Sequence, residues 1–194
     1  MRNEEIKISA KDNTYNNFDA RTFLLSDEVD NESIGKLLWG IIDLIREDDE
    51  KDKKEKGYER KPIKLYINSL GSSVCDMWGL IDVMLSSKTP IHTYCVGSAM
   101  SAAFIIFLAG QKRFCYKHST FMYHQMTVYG GYQKYQDVVE GKDEMDALNK
   151  QIEEFVIERT KLTRRQINEA REKKKDIYIH SDEAVKYGIV DEVL

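Results

Sequence analysis

The sequence has little cysteine, no secretory leader and no apolar run long enough for a membrane span. Its three cysteines, Cys75, Cys95 and Cys115, are odd in number and form no CxxC pair, which indicates free, buried thiols in a reducing compartment. The longest apolar run, Ala99–Ala109, is too short to cross a bilayer, and the first 13 residues are polar and charged. We therefore expect a cytoplasmic protein without a membrane partner.

Positive charge and the common cofactor motifs are also lacking. The formal net charge is −4 at pH 7, whereas a nucleic-acid groove needs a basic surplus on one face. No GxxxxGK[ST] loop is present and no GxGxxG follows a strand. No HExxH motif or other close group of histidines and cysteines offers metal ligands. We expect no nucleic-acid partner, no metal and no cofactor.

The composition and the order of predicted elements indicate an α/β fold. Hydrophobic residues make up 42% of the 194 residues and charged residues 32%, which is typical of a globular protein and fits one domain over residues 1–194. From residue 63 onward, strand patterns alternate with helical patterns, as in right-handed β-α-β crossovers. The predicted strands are 21–29, 63–68, 91–96, 112–116, 119–126 and a short one at the C terminus.

A predicted helix over about residues 31–45 precedes this core. Asn31 is available to cap the first helix, and the charged stretch 46–61 that follows predicts a frayed helix end and a mobile surface loop.

A long helix, Tyr135–Lys161, follows Gly130 and Gly131. Its apolar stripe is suited to burial against another subunit, although packing on its own domain explains it equally well. The stripe consists of Met145, Leu148, Ile152 and Phe155. A shorter helix opens with a capping-box pattern at Thr163 and Gln166.

Two serines lie where a predicted strand meets a buried helix. Ser101 falls at the first helical turn, where unpaired N–H groups and the positive end of the helix dipole converge, so it could attack a carbonyl group while those N–H groups stabilise an oxyanion. Ser98 follows Gly97 and is better suited to cap the helix. The turn 68–74 could supply further N–H groups. Spacing alone favours a packing role for Ser101, and the GxSxG elbow of α/β-hydrolases is absent.

Five segments, taken in order, carry a family resemblance. They are YINSLGSSV, GSAMSAAFIIFLAG, STFMYHQM, GGYQKYQDV and KKKDIYIHSDEAVKYGIVDEVL. These segments resemble the ClpP family motifs YINSPGGSV, GxAASMGAFLLxAG, SRxMIHQP, GGYQGxAxD and ERDxFLSAxEAxxYGLVDxIL. The resemblance covers about residues 21–194. It implies a ClpP/crotonase-like spiral of β-β-α units with a projecting helix (the handle, 130–161), an N-terminal segment at 1–20 and a charged surface insertion at 46–61.

The resemblance also implies a catalytic site. The family's nucleophile falls on Ser101, its histidine on His124 and its aspartate on Asp176. Its oxyanion donors fall on the backbone N–H groups of Ser72 and Ala102. The implied activity is that of a self-compartmentalising serine endopeptidase, which hydrolyses peptide bonds of unfolded polypeptides and whose peptidase step needs no ATP.

The implied assembly is a heptameric ring, single or stacked in pairs, fed by a AAA+ unfoldase. The sequence departs from the family motifs at several positions. Gly71-Ser72 replaces the family's glycine pair, Met126 replaces the proline after His-Gln, and Lys175 replaces an arginine that helps the contact between rings. Lysine cannot reproduce a bidentate arginine contact. The charged stretch 46–61 also extends a short family loop, and the N-terminus does not clearly resemble the family's axial hairpin. Together with Lys175, these departures bear on unfoldase docking and double-ring assembly more than on peptide-bond chemistry.

Two other functions remain open. The chain could be a catalytically silent ClpP-like subunit of a mixed ring, although the presence of Ser101, His124 and Asp176 argues against that role. It could also be a crotonase-type acyl-CoA enzyme, a class that shares the spiral and the paired-N–H oxyanion hole. That function needs a catalytic carboxylate in the cleft and leaves the Ser/His/Asp set unexplained.

Overall fold

The structure, a computed structural model, describes residues 20–127 and 134–194. In that part of the chain, strands and helices alternate around a seven-stranded sheet. The strands are β1 (Thr22–Leu25), β2 (Ile63–Ser69), β3 (Ile91–Met100), β4 (Lys112–Cys115), β5 (Thr120–Tyr123), β6 (Ile177–His180) and β7 (Glu192–Val193). The helices are α1 (Asn31–Lys54), α2 (Val74–Ser86), α3 (Ala102–Leu108), α4 (Tyr135–Arg159), α5 (Arg164–Lys173) and α6 (Ser181–Ala184).

The sheet is mostly parallel, which confirms the predicted α/β class. Five parallel strands lie in the order β1-β2-β3-β4-β7. Strand β3 pairs with β4 through its first half, at 92–95, and with β5 through its second half, at 98–100. Strand β6 is antiparallel to β5. Because β3 is shared in this way, β5 lies next to the end of β3.

Strand β3 is longer than predicted, and the extra length leads directly to the site. The sequence predicts a turn after Val96, but the chain stays extended through Met100. The pairing with β2 shifts register between Ile67↔Cys95 and Ser69↔Ala99. Gly97 lies in this irregular stretch with φ 88°, and a Cβ there would come within 2.7 Å of Asn68 Oδ1. Glycine at a strand irregularity accepts such a backbone without a steric penalty.

Helix α3 is buried on every side, as the apolar run predicts. All seven of its residues are buried, and a helix that is apolar all round belongs in a core. The rings of Phe107 and Phe121 lie 4.9 Å apart, so α3 packs against β5. Burying one phenylalanine side chain stabilises a fold by about 1.5–3 kcal/mol. The start of α3 is therefore firmly held against the strand that carries the candidate histidine.

The prediction for the charged stretch is wrong in its first half. Helix α1 continues to Lys54, and its N-cap is Asp30, which exchanges hydrogen bonds with Ser33, rather than Asn31. Asp48 is fully buried inside the supposed loop. Its carboxylate accepts hydrogen bonds from Arg21 (2.6 Å), Tyr58 (2.7 Å) and Thr89 (2.8 Å). Two of these partners, Arg21 and Thr89, lie outside the stretch, 27 and 41 residues from Asp48 in the sequence.

The second half of the predicted apolar stripe packs within this chain, which is one of the two alternatives that the pattern left open. Ile152 and Phe155 are buried, and the ring of Phe155 meets Trp78 edge-on at 5.5 Å. These two residues are therefore not free for another subunit. The large apolar side chains that are exposed on the described part of α4 are Tyr135, Val138 and Val139. The capping box of Thr163 and Gln166 is confirmed at the start of α5. Gly130 and Gly131 lie outside the described residues.

All three cysteines are free, but only two are buried. Cys75 is exposed, contrary to prediction, whereas Cys95 and Cys115 are buried. Burial raises the pKa of the Cys95 thiol to about 12 and that of Cys115 to about 11. Within residues 20–127 and 134–194 no helix is long and apolar enough to cross a membrane. No cluster of three or more His, Cys, Asp or Glu side chains in that part could hold a metal.

Candidate active site

A cleft of about 1050 Å³ opens where β2, β3 and β5 end. These strands are parallel, so their carboxyl ends meet at one edge of the sheet, the usual place for a ligand in an α/β fold. Ser72 follows β2, Ser101 follows β3 and His124 follows β5, and all three line the cleft. Met145 and Leu148 of α4 line it as well. Two of the four residues in the predicted apolar stripe of the long helix therefore face the cleft.

Ser101 has a backbone conformation that serine rarely adopts. Its φ is 52° and its ψ is −126°, a left-handed arrangement that costs on the order of 1–3 kcal/mol. It is the residue before α3, and its side chain makes no capping hydrogen bond to the helix. Its N–H donates to the carbonyl of Met122 at 2.9 Å. The hydroxyl is thus left available at the N-terminal end of a buried helix.

His124 lies beside Ser101 because of the β3–β5 pairing. Met100 pairs with Met122, and His124, two residues beyond Met122, points to the same side of the strand. Its Nε2 is 2.6 Å from Ser101 Oγ, within the reach expected of a nucleophile and its base. Of the predicted set, Ser101 and His124 are therefore brought together.

Asp176 lies near this pair, but the described part of the chain has no hydrogen bond between it and His124. Strand β6 runs antiparallel to β5, with Tyr123 opposite Ile177. The next residues along the two chains are His124 and Asp176, so the register brings them to neighbouring positions. The Asp176 residue is exposed and lies between β6 and the left-handed cap of α5 at Lys174.

The predicted oxyanion loop is held tightly against Ser101. Gly71 has φ 95°, and a Cβ added to it would come within 2.8 Å of both Ser101 Cβ and the Ala102 nitrogen. Val29 fixes the loop by donating to the Gly71 carbonyl (2.9 Å) and accepting from the Ser73 N–H (2.8 Å). Ser72 itself has φ 144°. No hydrogen bond within the described residues uses the N–H of Ser72 or Ala102, so both are available to a ligand.

The predicted role of Ser98 as a helix cap is wrong. Ser98 lies within β3, and its N–H and hydroxyl both donate to Asn68 Oδ1, at 3.1 and 3.3 Å. Sequence reasoning did not identify Asn68, although this residue lies in the YINSLGSSV segment. A polar residue at the end of a buried strand, facing a glycine-serine pair on the next strand, is the signal that could have found it.

Comparisons with known proteins agree on one family. The sequence model described as Clp protease matches residues 9–194. The chain is 34% identical over 176 residues to the ATP-dependent Clp protease proteolytic subunit 1 of Prochlorococcus marinus (strain MIT 9312), covering 90% of this chain and 84% of the relative. It is 33% identical to the ATP-dependent Clp protease proteolytic subunit 2 of Synechococcus sp. (strain CC9605), with 90% and 83% covered. Subunit 1 of Thermobifida fusca (strain YX) is 30% identical, with 94% and 78% covered.

Proposed function

Because this chain belongs to the Clp protease family, we propose that it is a cytoplasmic, self-compartmentalising serine endopeptidase acting on unfolded polypeptides. The observation that carries the proposal is the 2.6 Å separation of Ser101 Oγ and His124 Nε2 at the start of a buried helix. A packing serine has no need of a histidine partner or of a strained backbone. The pair argues against a silent subunit, which need not keep it, and an acyl-CoA enzyme gives no reason for it.

The proposed chemistry follows from these positions. The Ser101 hydroxyl donates its proton to His124 Nε2 as Oγ attacks the scissile carbonyl carbon, which gives a tetrahedral oxyanion. The free N–H groups of Ser72 and Ala102 stabilise that oxyanion. His124 then donates the proton to the leaving amine, an acyl-enzyme remains on Ser101, and water hydrolyses it by the same steps.

Asp176 completes the proposed triad. A base that accepts at Nε2 must carry its proton on Nδ1, and a carboxylate that accepts from Nδ1–H fixes this tautomer and stabilises the imidazolium. The β5–β6 register supports Asp176 for this role, because it brings the aspartate next to His124. The side chain must turn toward Nδ1 for the hydrogen bond to form.

Labelling with a fluorophosphonate tests the nucleophile. We expect the parent to be labelled on Ser101. Ser101→Ala should lose the label, and its turnover should fall by roughly a millionfold. Ser98→Ala is the matched control: it removes one hydroxyl hydrogen bond to Asn68, costs about 0.5–1.5 kcal/mol of stability and keeps the labelling. An adduct on Ser98, or labelling that survives Ser101→Ala, contradicts the assignment. A folded parent that never labels supports the silent-subunit alternative.

The family also supports an assembly of rings, and the proposed form is a heptamer, single or double, that receives substrates from a AAA+ unfoldase. The exposed apolar residues Tyr135, Val138 and Val139 near the start of α4 are available for contact between subunits. Native mass measurement combined with hydrolysis of short fluorogenic peptides tests assembly and chemistry together. A 22.6 kDa monomer at micromolar concentration contradicts the ring.

A further inference from the structure

A buried carboxylate outside the proposed triad lies close to the His124 segment. Glu153 of α4 is 3% exposed, and a charge that is buried to this degree needs partners. Its Oε1 accepts from Arg171 Nη1 at 2.9 Å, and its Oε2 lies 3.5 Å from Arg164 Nη1. Both arginines belong to α5, so Glu153 joins the long helix to the helix that precedes Asp176.

The same carboxylate is connected to the chain that follows His124. Asn149 lies one turn before Glu153, on the same face of α4, and its Nδ2 donates to Glu153 Oε1 at 2.9 Å. Its Oδ1 accepts from the backbone N–H of Met126 at 3.4 Å. Met126 is two residues beyond His124. The side chain of Asn149 is therefore oriented at one end by Glu153 and holds the His124 segment at the other.

Helix α5 also connects Glu153 to the chain that carries Asp176. Helix α5 ends at Lys173, and the cap at Lys174 leads within two residues to Asp176. Strand β6 then pairs with β5 at Tyr123, the residue before His124. Burial, and then the charge of Glu153, raise the pKa of the Tyr123 hydroxyl. Glu153 is thus joined directly to α5, the helix that precedes Asp176, and through Asn149 to the segment that follows His124.

We infer that Glu153, acting through Asn149, is a positioning residue for His124. The inference rests on the proposed peptidase function and deepens it. Glu153 touches no reacting atom. It fixes the amide of Asn149 with Oδ1 toward Met126, and it couples that contact to α5. Without this anchor the 124–127 segment loses its hydrogen bond to α4, and Nε2 loses its fixed distance from Ser101 Oγ. A misplacement of about 1 Å can lower a rate about 100-fold.

The test separates kcat from KM in four variants. Asn149→Ala removes the contact with Met126, and Glu153→Ala removes the group that orients Asn149. Glu153→Gln keeps an acceptor of the same size for Asn149. Glu154→Gln is the matched control, because the neighbouring Glu154 is 53% exposed and lies 3.9 Å from Lys150. Each variant is assayed for peptide hydrolysis, for the rate of fluorophosphonate labelling and for urea unfolding, so that activity refers to folded protein.

We expect Asn149→Ala and Glu153→Ala to lower kcat and the labelling rate about 10- to 100-fold with KM nearly unchanged. Glu153→Gln restores most of kcat, and Glu154→Gln matches the parent. If Glu153→Ala does not fold, Arg171→Gln replaces it, since the Arg171 side chain is 44% exposed; a smaller fall in kcat is expected, because Arg164 remains near Glu153.

Unchanged kcat and labelling in folded Asn149→Ala overturns the inference, and so does a loss of stability alone. A fall in kcat that Glu153→Gln shares in full also overturns it, because the orienting acceptor is then not what matters. Failure of the proposed function has a different outcome: the folded parent itself is not labelled, or Ser101→Ala still is.

Discussion

Replacing Gly71 by alanine tests the geometry of the oxyanion loop most directly. The new methyl group would lie 2.7 Å from the Met100 carbonyl oxygen and 2.8 Å from the Ala102 nitrogen. Both are backbone atoms, at the end of β3 and the start of α3, so neither can rotate away as a side chain would. The residue also has φ 95°, a conformation that a side chain disfavours.

The expected loss of stability has two contributions, the backbone conformation at residue 71 and the steric clash of the new methyl group. A non-glycine residue in such a backbone conformation costs about 1–3 kcal/mol, and forcing an extra methyl group into a packed site costs about 1–3 kcal/mol. We therefore expect Gly71→Ala to lower the free energy of unfolding by about 2–6 kcal/mol. The clash also displaces the N–H of Ala102. If Ala102 is an oxyanion donor, as proposed, its loss is expected to slow acyl transfer about 100- to 1000-fold.

Gly79→Ala is the matched control on the following helix. Gly79 lies inside α2, and a Cβ there meets nothing within 4 Å, so alanine should stabilise the protein by about 0.5–1 kcal/mol. Urea unfolding gives the stability of both variants, and fluorophosphonate labelling of the folded protein gives their activity. The reasoning is refuted if Gly71→Ala unfolds like the parent and labels at the parental rate.

Two further predictions concern the core. Burial favours the protonated form of Asp48, but the hydrogen bonds from Arg21, Tyr58 and Thr89 outweigh it and lower the pKa of this carboxyl group. A lowered folded-state pKa stabilises the protein above the unfolded value, about 3.9, and this stabilisation is lost as the pH falls through the folded-state value. Asp48→Asn should therefore be less stable than the parent at neutral pH, and urea titrations should show the gap closing below about pH 4; a gap that does not depend on pH contradicts this. A thiol reagent at pH 8 should modify only Cys75 quickly in the folded protein and all three cysteines in urea, because Cys95 and Cys115 are buried with raised pKa values; fast reaction of a second thiol contradicts the packing.

Elements defined by local pattern were predictable from the sequence. The apolar run of α3 and the capping box at Thr163 depend on residues within a few positions of one another. The sequence pattern predicts too early an end for helix α1, because the last two turns of this helix are almost wholly charged. Those turns are ordered by Asp48, whose partner Arg21 is 27 residues away, and no local pattern reveals such a pair.

The second half of strand β3, beside the candidate site, also could not be predicted from local pattern. Glycine and serine at 97–98 are typical of a turn, yet pairing with β5 and the contact with Asn68 keep this segment extended. His124 could not be selected by spacing, because 23 residues separate it from Ser101. The family resemblance selected it, and the parallel register of β3 and β5 gives the physical reason why the two side chains meet. Asn149 and Glu153 gave no signal, since a helix rich in charge offers many equivalent carboxylates.

The backbone strain at the site explains why pattern alone favoured a packing role for Ser101. Ser101 and Ser72 both have positive φ, and each such residue costs on the order of 1–3 kcal/mol. Local preference therefore opposes the observed conformation at both positions, and a conflict of this kind is expected at functional sites rather than in a core. The conformation persists because the buried helix α3 on one side and the loop contacts of Val29 on the other leave the chain no relaxed alternative. A serine held in this way at the start of a fully buried helix, with its hydroxyl 2.6 Å from a histidine, is better explained by chemistry than by packing.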